Sequence, residues 1–100
     1  MYSHSAPRIS EFVVEIYAPR DTAKRAAARV EDAALAADQV SAQTVEVRVV
    51  RAISVPEDET CFYLYEAASA DAVREAARRA HLRLVRISEA VSMRPQGDRR

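Results

Sequence analysis

The order of two hydrophobic periodicities is the feature of this chain that most constrains its fold. Apolar and polar residues that alternate with period two indicate strands, and apolar residues at helical spacing indicate helices. The alternating segments are residues 10–17, 44–55, 60–67 and 85–91. The helical segments, whose apolar stripes are mostly alanine, are residues 22–37 and 70–81. The predicted order is therefore strand, helix, strand, strand, helix, strand.

Local signals mark where these elements begin and end. Pro19 ends the first strand, because proline donates no ladder hydrogen bond. Asp21 or Thr22 is predicted to cap the first helix, and Ser69 the second. Residues 56–59, a proline followed by three acidic residues, predict a short turn, so the strands on either side form an antiparallel hairpin. The predicted fold is α+β and ferredoxin-like (βαββαβ), with a four-stranded antiparallel sheet and two helices on one face.

Composition and charge narrow the classes of partner. The chain has 100 residues, 15 of them basic and 15 acidic, so no global field attracts nucleic acid or an anionic membrane. One cysteine allows no internal disulfide, and no apolar run approaches membrane-spanning length, so we expect a cytoplasmic protein. The single glycine, Gly97, cannot build a phosphate-binding loop, so we expect no nucleotide cofactor. We expect one domain at residues 9–92, between a flexible leader at 1–8 and a flexible basic tail at 93–100.

The sheet face opposite the helices is predicted to be unusually apolar for a solvated surface. By alternation, this open face carries Val13, Tyr17, Val50, Ala52, Cys61, Tyr63 and Tyr65. Aromatic and aliphatic groups that no helix covers mark a contact surface. Two such faces can meet in a twofold homodimer of the dimeric α+β barrel type. The alternative is that the tyrosines lie against a solvated sheet.

A tyrosine-lined cleft on the open face is the predicted ligand site. Small-molecule sites are mainly apolar with a few convergent polar groups. The residues that fit this description are Tyr17, Tyr63, Tyr65, Glu15 and Arg48. Such a cleft would hold a small ligand, or would serve a small cyclase, isomerase or oxygenase-like enzyme whose tyrosine and glutamate act as general acid and base. The alternatives are that the charged groups are the rim of an interface, or that the face pairs with a different protein.

The third strand and the second helix together resemble a known family. Residues 61–67 (CFYLYEA) lead into residues 71–80 (DAVREAARRA). This tyrosine-glutamate-alanine strand end, followed by an alanine-valine-arginine-glutamate helix, resembles a family of small bacterial proteins that are largely of unknown function. The family includes an actinobacterial nickel-binding protein with a ferredoxin-like fold that forms a dimer. The resemblance, which extends over roughly residues 11–91, implies a homodimer that binds Ni²⁺ or another divalent metal.

The residues that the resemblance offers as metal ligands also have structural alternatives. Nickel favours imidazole and, in some sites, thiolate or carboxylate, so the candidates are His81, Glu66, Cys61 and His4. In the structural alternative, His81 is a left-handed residue that ends the second helix. Glu66 accepts hydrogen bonds from the first amides of that helix, and Cys61 is a small side chain packed in the core. Relatives often carry cysteine where Tyr63 stands and glycine where His81 stands. The leading hypothesis is a homodimeric binding protein for a nickel-type divalent metal or a small ligand.

Overall fold

A computed structural model describes residues 8–96 of the chain. The strands are β1 (Ser10–Tyr17), β2 (Val47–Val55), β3 (Thr60–Ala67) and β4 (Leu84–Ala90), and the α-helices are α1 (Ala26–Gln43) and α2 (Ala70–Arg79). Short 3-10 segments precede α1 (Arg20–Arg25) and separate β2 from β3 (Pro56–Asp58). The predicted order of elements is confirmed. No helix among these residues combines the length and the apolar character needed to cross a bilayer.

The four strands form one antiparallel sheet in the order β2-β3-β1-β4. The two central strands come from the two halves of the chain, which is the ferredoxin-like arrangement predicted from the sequence. The core lies between the sheet and the two helices, and it contains six helix alanines together with the inward side chains of the strands. The predicted α+β class is confirmed.

The predicted bounds hold best where turn and cap chemistry is strong. β1 and β3 begin and end at the predicted residues. The hydroxyl oxygen of Ser69 accepts a hydrogen bond from the amide of Ala72 at 3.1 Å, so the predicted cap of α2 is confirmed. Neither Asp21 nor Thr22 caps α1. The Thr22 hydroxyl instead donates to the Pro19 carbonyl at 2.6 Å, inside the 3-10 segment.

The first helix also runs further than predicted, to Gln43 instead of Ala37. Val40 is buried and lies one turn beyond Ala36 and Ala37, so it continues their apolar stripe. No glycine or proline interrupts residues 38–43. Four of the six residues at 38–43 are polar, so the sequence pattern gives little sign that the helix continues.

The predicted open face is wrong for β3, whose two faces are exchanged. The register pairs Phe12 with Tyr65, Val14 with Tyr63, and Ile16 with Cys61. Residues directly opposite each other in an antiparallel pair share a face. The side chains of Cys61, Tyr63 and Tyr65 therefore point toward the helices, and Tyr63 and Tyr65 are only 1% and 0% exposed.

The physical reason for this exchange is volume. Alanines form the inward stripes of both helices: Ala33, Ala36, Ala37, Ala72, Ala76 and Ala77. Small side chains on the helices leave space above the sheet, and close packing requires bulky side chains to fill it. The rings of Tyr63 and Tyr65 fill that space better than Phe62 and Leu64 would, because each tyrosine is larger.

A break in the β2–β3 register corrects the predicted faces of β2 as well. Val49 pairs with Tyr65, but the next paired residue is Arg51, so Val50 is an extra residue in the strand. Ala52, predicted to lie on the open face, instead pairs with Tyr63 and packs against the core. Alternation alone cannot reveal a bulge, and every residue beyond the bulge is moved to the other face.

The open face nevertheless carries an apolar centre. Val13 pairs with Leu64 across β1 and β3, and Ile53 pairs with Phe62 across β2 and β3. We call these four side chains the apolar patch. They are half-buried apart from Ile53, which is 51% exposed. The predicted apolar character of this face is confirmed. Val13 was predicted to lie there, whereas the other three residues of the patch were not.

Two of the predicted segments fall largely outside the described residues. The predicted leader at 1–8 includes His4, which lies outside the described part, and only Arg8 of that segment is described. Residues 97–100 of the predicted tail are also outside it. The predicted division of the chain stays a prediction.

Candidate functional site

A cavity of about 290 Å³ lies between the sheet and the helices, at the end of the sheet where β1 finishes and β3 begins. Its wall comes from the strand ends, the 3-10 segment before α1, the first turn of α1 and the loop between α2 and β4. We call it the inner cavity. It is lined by Ile16, Tyr17, Ala18, Pro19, Arg20, Thr22, Ala26, Arg29, Ser54, Pro56, Cys61, Tyr63, His81 and Arg83.

Two ionisable groups on β3 face this cavity and are neutral at neutral pH. Burial raises the pKa of the Cys61 thiol, and the nearby Arg29 opposes this only in part. Burial likewise raises the pKa of Tyr63 to about 12, and the adjacent Cys61 adds to the shift. A thiol reacts and binds metals as the thiolate, so burial makes Cys61 a weak nucleophile and a weak ligand.

Three arginines line the inner cavity, and each is held differently. Arg29, half-buried on α1, donates to the backbone carbonyl of His81 at 3.4 Å. The guanidinium carbon of Arg83 lies 5.8 Å from the centre of the Tyr17 ring, in cation–π geometry. Arg20 donates to the Glu57 carbonyl at 3.2 Å, which ties the 3-10 segment to the β2–β3 hairpin.

His81 owes its position to the end of α2. Its φ of 60° is in the left-handed region. The His81 amide donates to the Arg78 carbonyl and the Leu82 amide to the Ala77 carbonyl, both at 3.0 Å, which is a Schellman motif. The predicted left-handed helix end is confirmed. The exposed imidazole also lines the inner cavity, so the structural role leaves its nitrogens available.

The predicted open-face cleft does not form, because its five residues lie in different places. Tyr63 lies on the side of the sheet that faces the helices and lines the inner cavity. Tyr17 lies at the rim of that cavity, and the residue is 43% exposed. The carboxylates and guanidinium groups of the open face form ion pairs there. Glu15 lies 3.3 Å from Arg86, and Arg48 lies 2.6 Å from Glu66.

Tyr65 is the fifth predicted cleft residue, and it lines neither surface. The side chain is fully buried in the core. Burial raises its pKa above the ordinary value, with Tyr63 adding to the shift. Its hydroxyl has no hydrogen-bond partner among the described residues.

The predicted bond between Glu66 and the first amides of α2 is also wrong. The Ser69 hydroxyl takes that role, and the Glu66 carboxylate accepts from Nε of Arg48 at 2.9 Å. Glu66 follows Cys61 by five positions on β3, which corresponds to about 16 Å along a strand. These two predicted metal ligands of one chain are therefore too far apart to share an ion.

The arginines are the cavity residues that the sequence reasoning missed. Arg29 interrupts the apolar stripe of α1, between Ala26 and Ala33. A charged residue in a buried stripe is a signal of a polar site beneath the helix. Arg20 begins the 3-10 segment and Arg83 lies in the loop between α2 and β4, and neither carries a comparable signal.

The donor set of the inner cavity does not fit a nickel ion within one chain. Cys61 and His81 line the cavity together, but no carboxylate from the described part of the chain does. Residues 8–96 contain no group of three or more histidine, cysteine or acidic side chains able to hold a metal. Three guanidinium groups also oppose a dication, because like charges repel most strongly where water is scarce.

Comparison with known proteins places the chain in a family. No curated protein and no solved structure matches it. A family model described as nickel responsive protein SCO4226-like matches residues 12–90, which is most of the chain and contains all six strands and helices apart from the first residues of β1. The chain therefore belongs to the SCO4226-like family of nickel responsive proteins.

Proposed function

We propose that this protein is a homodimeric, non-catalytic binding protein that holds a small organic ligand in the inner cavity. The observation that carries the proposal is the cavity itself, whose volume of about 290 Å³ lies at the lower end of the range for ligand sites. Its walls combine apolar groups with a few polar ones from separate elements, which is the usual composition of such sites. The predicted cytoplasmic location is part of the same proposal.

The dimer part of the proposal is supported by the apolar patch on the open face. Four strands of about eight residues cover roughly 19 by 26 Å, or about 500 Å² of plane, and side-chain relief increases the accessible area. Standard interfaces bury about 800 Å² on each partner, so this face is of suitable size. A twofold axis through the face would place each apolar patch against its copy.

A substitution in the patch tests the dimer. We expect light scattering after size exclusion to give about 22 kDa, twice the chain mass of 11.1 kDa. Leu64→Arg places two guanidinium groups in the interface and is expected to give a monomer with an unchanged circular dichroism spectrum. Leu35→Arg is the matched control, because Leu35 is 60% exposed and lies on α1, outside the apolar patch. A wild-type monomer, or a Leu64→Arg dimer, would contradict this part of the proposal.

A cavity-filling variant tests the ligand part. We would screen a fragment library by amide chemical shifts and expect hits that perturb residues around the inner cavity. Cys61→Leu adds volume at the cavity wall and should abolish those shifts, whereas Cys61→Ser keeps the volume and should retain them. Hits that persist in Cys61→Leu, or a screen without any cavity hit, would argue against the proposal.

Nickel is the second candidate ligand, favoured by the family match and by Cys61 and His81 facing one cavity. Because one chain supplies too few donors there, this candidate requires donors from a second copy or from His4, which lies outside the described residues. Calorimetric titration of tag-free protein with NiCl₂ tests it. Heat at tens of micromolar that His81→Ala removes would support nickel. The absence of heat, or heat unchanged in His81→Ala, would reject a site that contains His81.

The tyrosine and glutamate predicted as general acid and base in the enzymatic alternative do not lie together. General acids and bases work best when their pKa lies near the working pH. Burial raises the pKa of Tyr63 to about 12, and Glu15 is ion-paired on the opposite face of the sheet. We therefore propose that the protein binds its ligand without converting it.

A further inference from the structure

The charges that face the inner cavity are all of one sign. Arg20, Arg29 and Arg83 line it together with His81, and no aspartate or glutamate among residues 8–96 does, although the Asp32 carboxylate on α1 is near enough to raise the pKa of Tyr63. Two further ionisable groups in the wall, Cys61 and Tyr63, have pKa values raised by burial and are uncharged at neutral pH. The cavity is therefore cationic, although the chain as a whole has a formal net charge of zero.

Arg29 is the arginine best placed to receive an anion. Within residues 8–96 its guanidinium has no carboxylate in salt-bridge range, and its hydrogen bond is one weak contact with the His81 carbonyl at 3.4 Å. A guanidinium group has five N–H donors in a planar fork that matches a carboxylate. A half-buried cation that has no carboxylate in salt-bridge range is partly dehydrated. A bound anion compensates for the lost hydration with charge-assisted hydrogen bonds.

The other two arginines differ from Arg29 in what they can do. Arg20 is occupied by the hairpin, since its backbone amide donates to the Glu59 carboxylate at 2.9 Å and its side chain reaches backbone carbonyls. Arg83 lies over the Tyr17 ring at the cavity mouth. Arg83 therefore adds positive electrostatic potential at the cavity mouth. The half-buried Arg29 offers its guanidinium N–H groups as hydrogen-bond donors inside the cavity.

We propose that the inner cavity binds a small organic monocarboxylate with an apolar body, with the carboxylate on Arg29 and the body against Ile16, Pro19 and the Tyr17 ring. This inference rests on the proposed function and names its ligand class. The cavity volume of about 290 Å³ equals about ten water volumes of roughly 30 Å³. The ligand should thus have about ten non-hydrogen atoms.

A pair of isosteric probes tests the charge preference. Phenylacetate and 2-phenylacetamide have the same size and shape, and only the first is an anion. We expect phenylacetate to bind roughly tenfold more tightly or better, as one charge-assisted hydrogen bond predicts. Affinities would be measured by amide chemical-shift titration, which also reports whether the shifted residues surround the inner cavity. Binding of phenylacetate should weaken as salt is added, and binding of the amide should not.

Two variants identify the arginine responsible. Arg29→Gln should abolish the preference for phenylacetate, so that the two probes bind alike. Arg74→Gln is the matched control: it removes the same charge from the exposed surface of α2, where Arg74 pairs with Asp71 at 2.9 Å, and it should keep the preference. Thermal unfolding of each variant checks that the fold is kept. A preference that survives in Arg29→Gln would overturn the assignment.

The outcomes separate this inference from the proposed function. Equal binding of both probes in the inner cavity would overturn the carboxylate inference and leave small-ligand binding intact. If neither probe binds and the fragment screen gives no cavity hit, both proposals fail together. Tighter binding of phenylacetate that Arg29→Gln removes supports both.

Discussion

Replacing Tyr65 by phenylalanine removes one oxygen atom from the centre of the core. It tests whether that buried hydroxyl lacks a hydrogen-bond partner in solution. The Tyr65 side chain is fully buried, and its hydroxyl has no hydrogen-bond partner among the described residues. A buried hydroxyl without a partner costs about 1–3 kcal/mol of folding free energy, because it loses its bonds to water. Tyr65→Phe removes that cost and keeps the ring packing.

We expect Tyr65→Phe to raise the free energy of unfolding by about 1 kcal/mol. The lower part of the range applies because a small gap remains where the oxygen stood, and gaps in a close-packed core lose contacts. Tyr65→Ala removes the ring as well, and it should lower the free energy by about 3–5 kcal/mol. The two substitutions at one position therefore act in opposite directions.

Urea unfolding followed by circular dichroism measures both effects. The midpoint for Tyr65→Phe should rise while the slope stays unchanged, and its melting temperature should increase by about 4–8 °C per kcal/mol for a domain of this size. Protein concentration must be held constant, because a dimer gains stability with concentration. Tyr63→Phe is the control, since its hydroxyl faces the inner cavity and its loss should change stability little at neutral pH.

One result would refute the reasoning. If Tyr65→Phe lowers the free energy of unfolding by 1 kcal/mol or more, the hydroxyl must make a hydrogen bond in solution, for instance to a buried water. Unequal slopes for Tyr65→Phe and wild type would also undermine the comparison, because the two unfolding reactions would then expose different areas.

Three further predictions concern other positions. Burial raises the pKa of Tyr63 from its ordinary value of about 10 to about 12, so between these pH values the unfolded chain loses a proton that the folded chain keeps. The contribution of Tyr63 to stability should therefore fall by about 1.4 kcal/mol per pH unit in that window, and Tyr63→Phe should lose stability less steeply than wild type in urea titrations at pH values from about 10 to 12. Ser69→Ala removes the hydrogen bond to Ala72 and should cost about 1 kcal/mol of unfolding free energy, and a loss near zero would show that water replaces the cap. His81→Gly should raise the melting temperature, since glycine adopts a positive φ without strain, whereas His81→Val should lower it; equal melting temperatures would contradict the strain argument.

The parts of the fold that were predictable are those with local signals. Residues 10–17 alternate and are followed by Pro19, and the aromatic-rich residues 60–67 lie between the turn at 56–59 and Ser69, so the predicted ends of both strands are confirmed. The bulge at Val50 depends on how β2 meets β3, which no local pattern records. Local chemistry therefore predicted the elements and their order, and left open which side of two strands turns inward.

The exchange of the β3 faces shows why that question is hard. Both faces of Thr60–Ala67 are apolar, because Phe62 and Leu64 alternate with Cys61, Tyr63 and Tyr65. Hydrophobicity alone favours Phe and Leu for the core, and this choice was wrong. The alanine stripes of the helices were visible in the sequence, and matching their small volume with large rings would have predicted the observed faces.

Of the predicted site residues, the structure brings together those that share one end of the sheet. Tyr17, Tyr63, Cys61 and His81 all line the inner cavity. They come from elements far apart in sequence, so their proximity follows from the strand order and not from any motif. Arg29 could have been found from its place in an alanine stripe, but its neighbours could not.

The same volume argument explains why a cavity lies at this end of the sheet. Along β3 the inward side chains are Ala67, Tyr65, Tyr63 and then Cys61, so the row of large rings ends at Tyr63, three residues from the start of the strand at Thr60. Ser54, which is also small, pairs with Cys61 across the sheet. Above them the chain has not yet entered α1 and runs as the 3-10 segment Arg20–Arg25, so no alanine stripe descends to close the space. A core built from alanine on helices and tyrosine on a strand is therefore incomplete at this end of the sheet, and the proposed ligand with an apolar body would supply the volume that the chain itself lacks there.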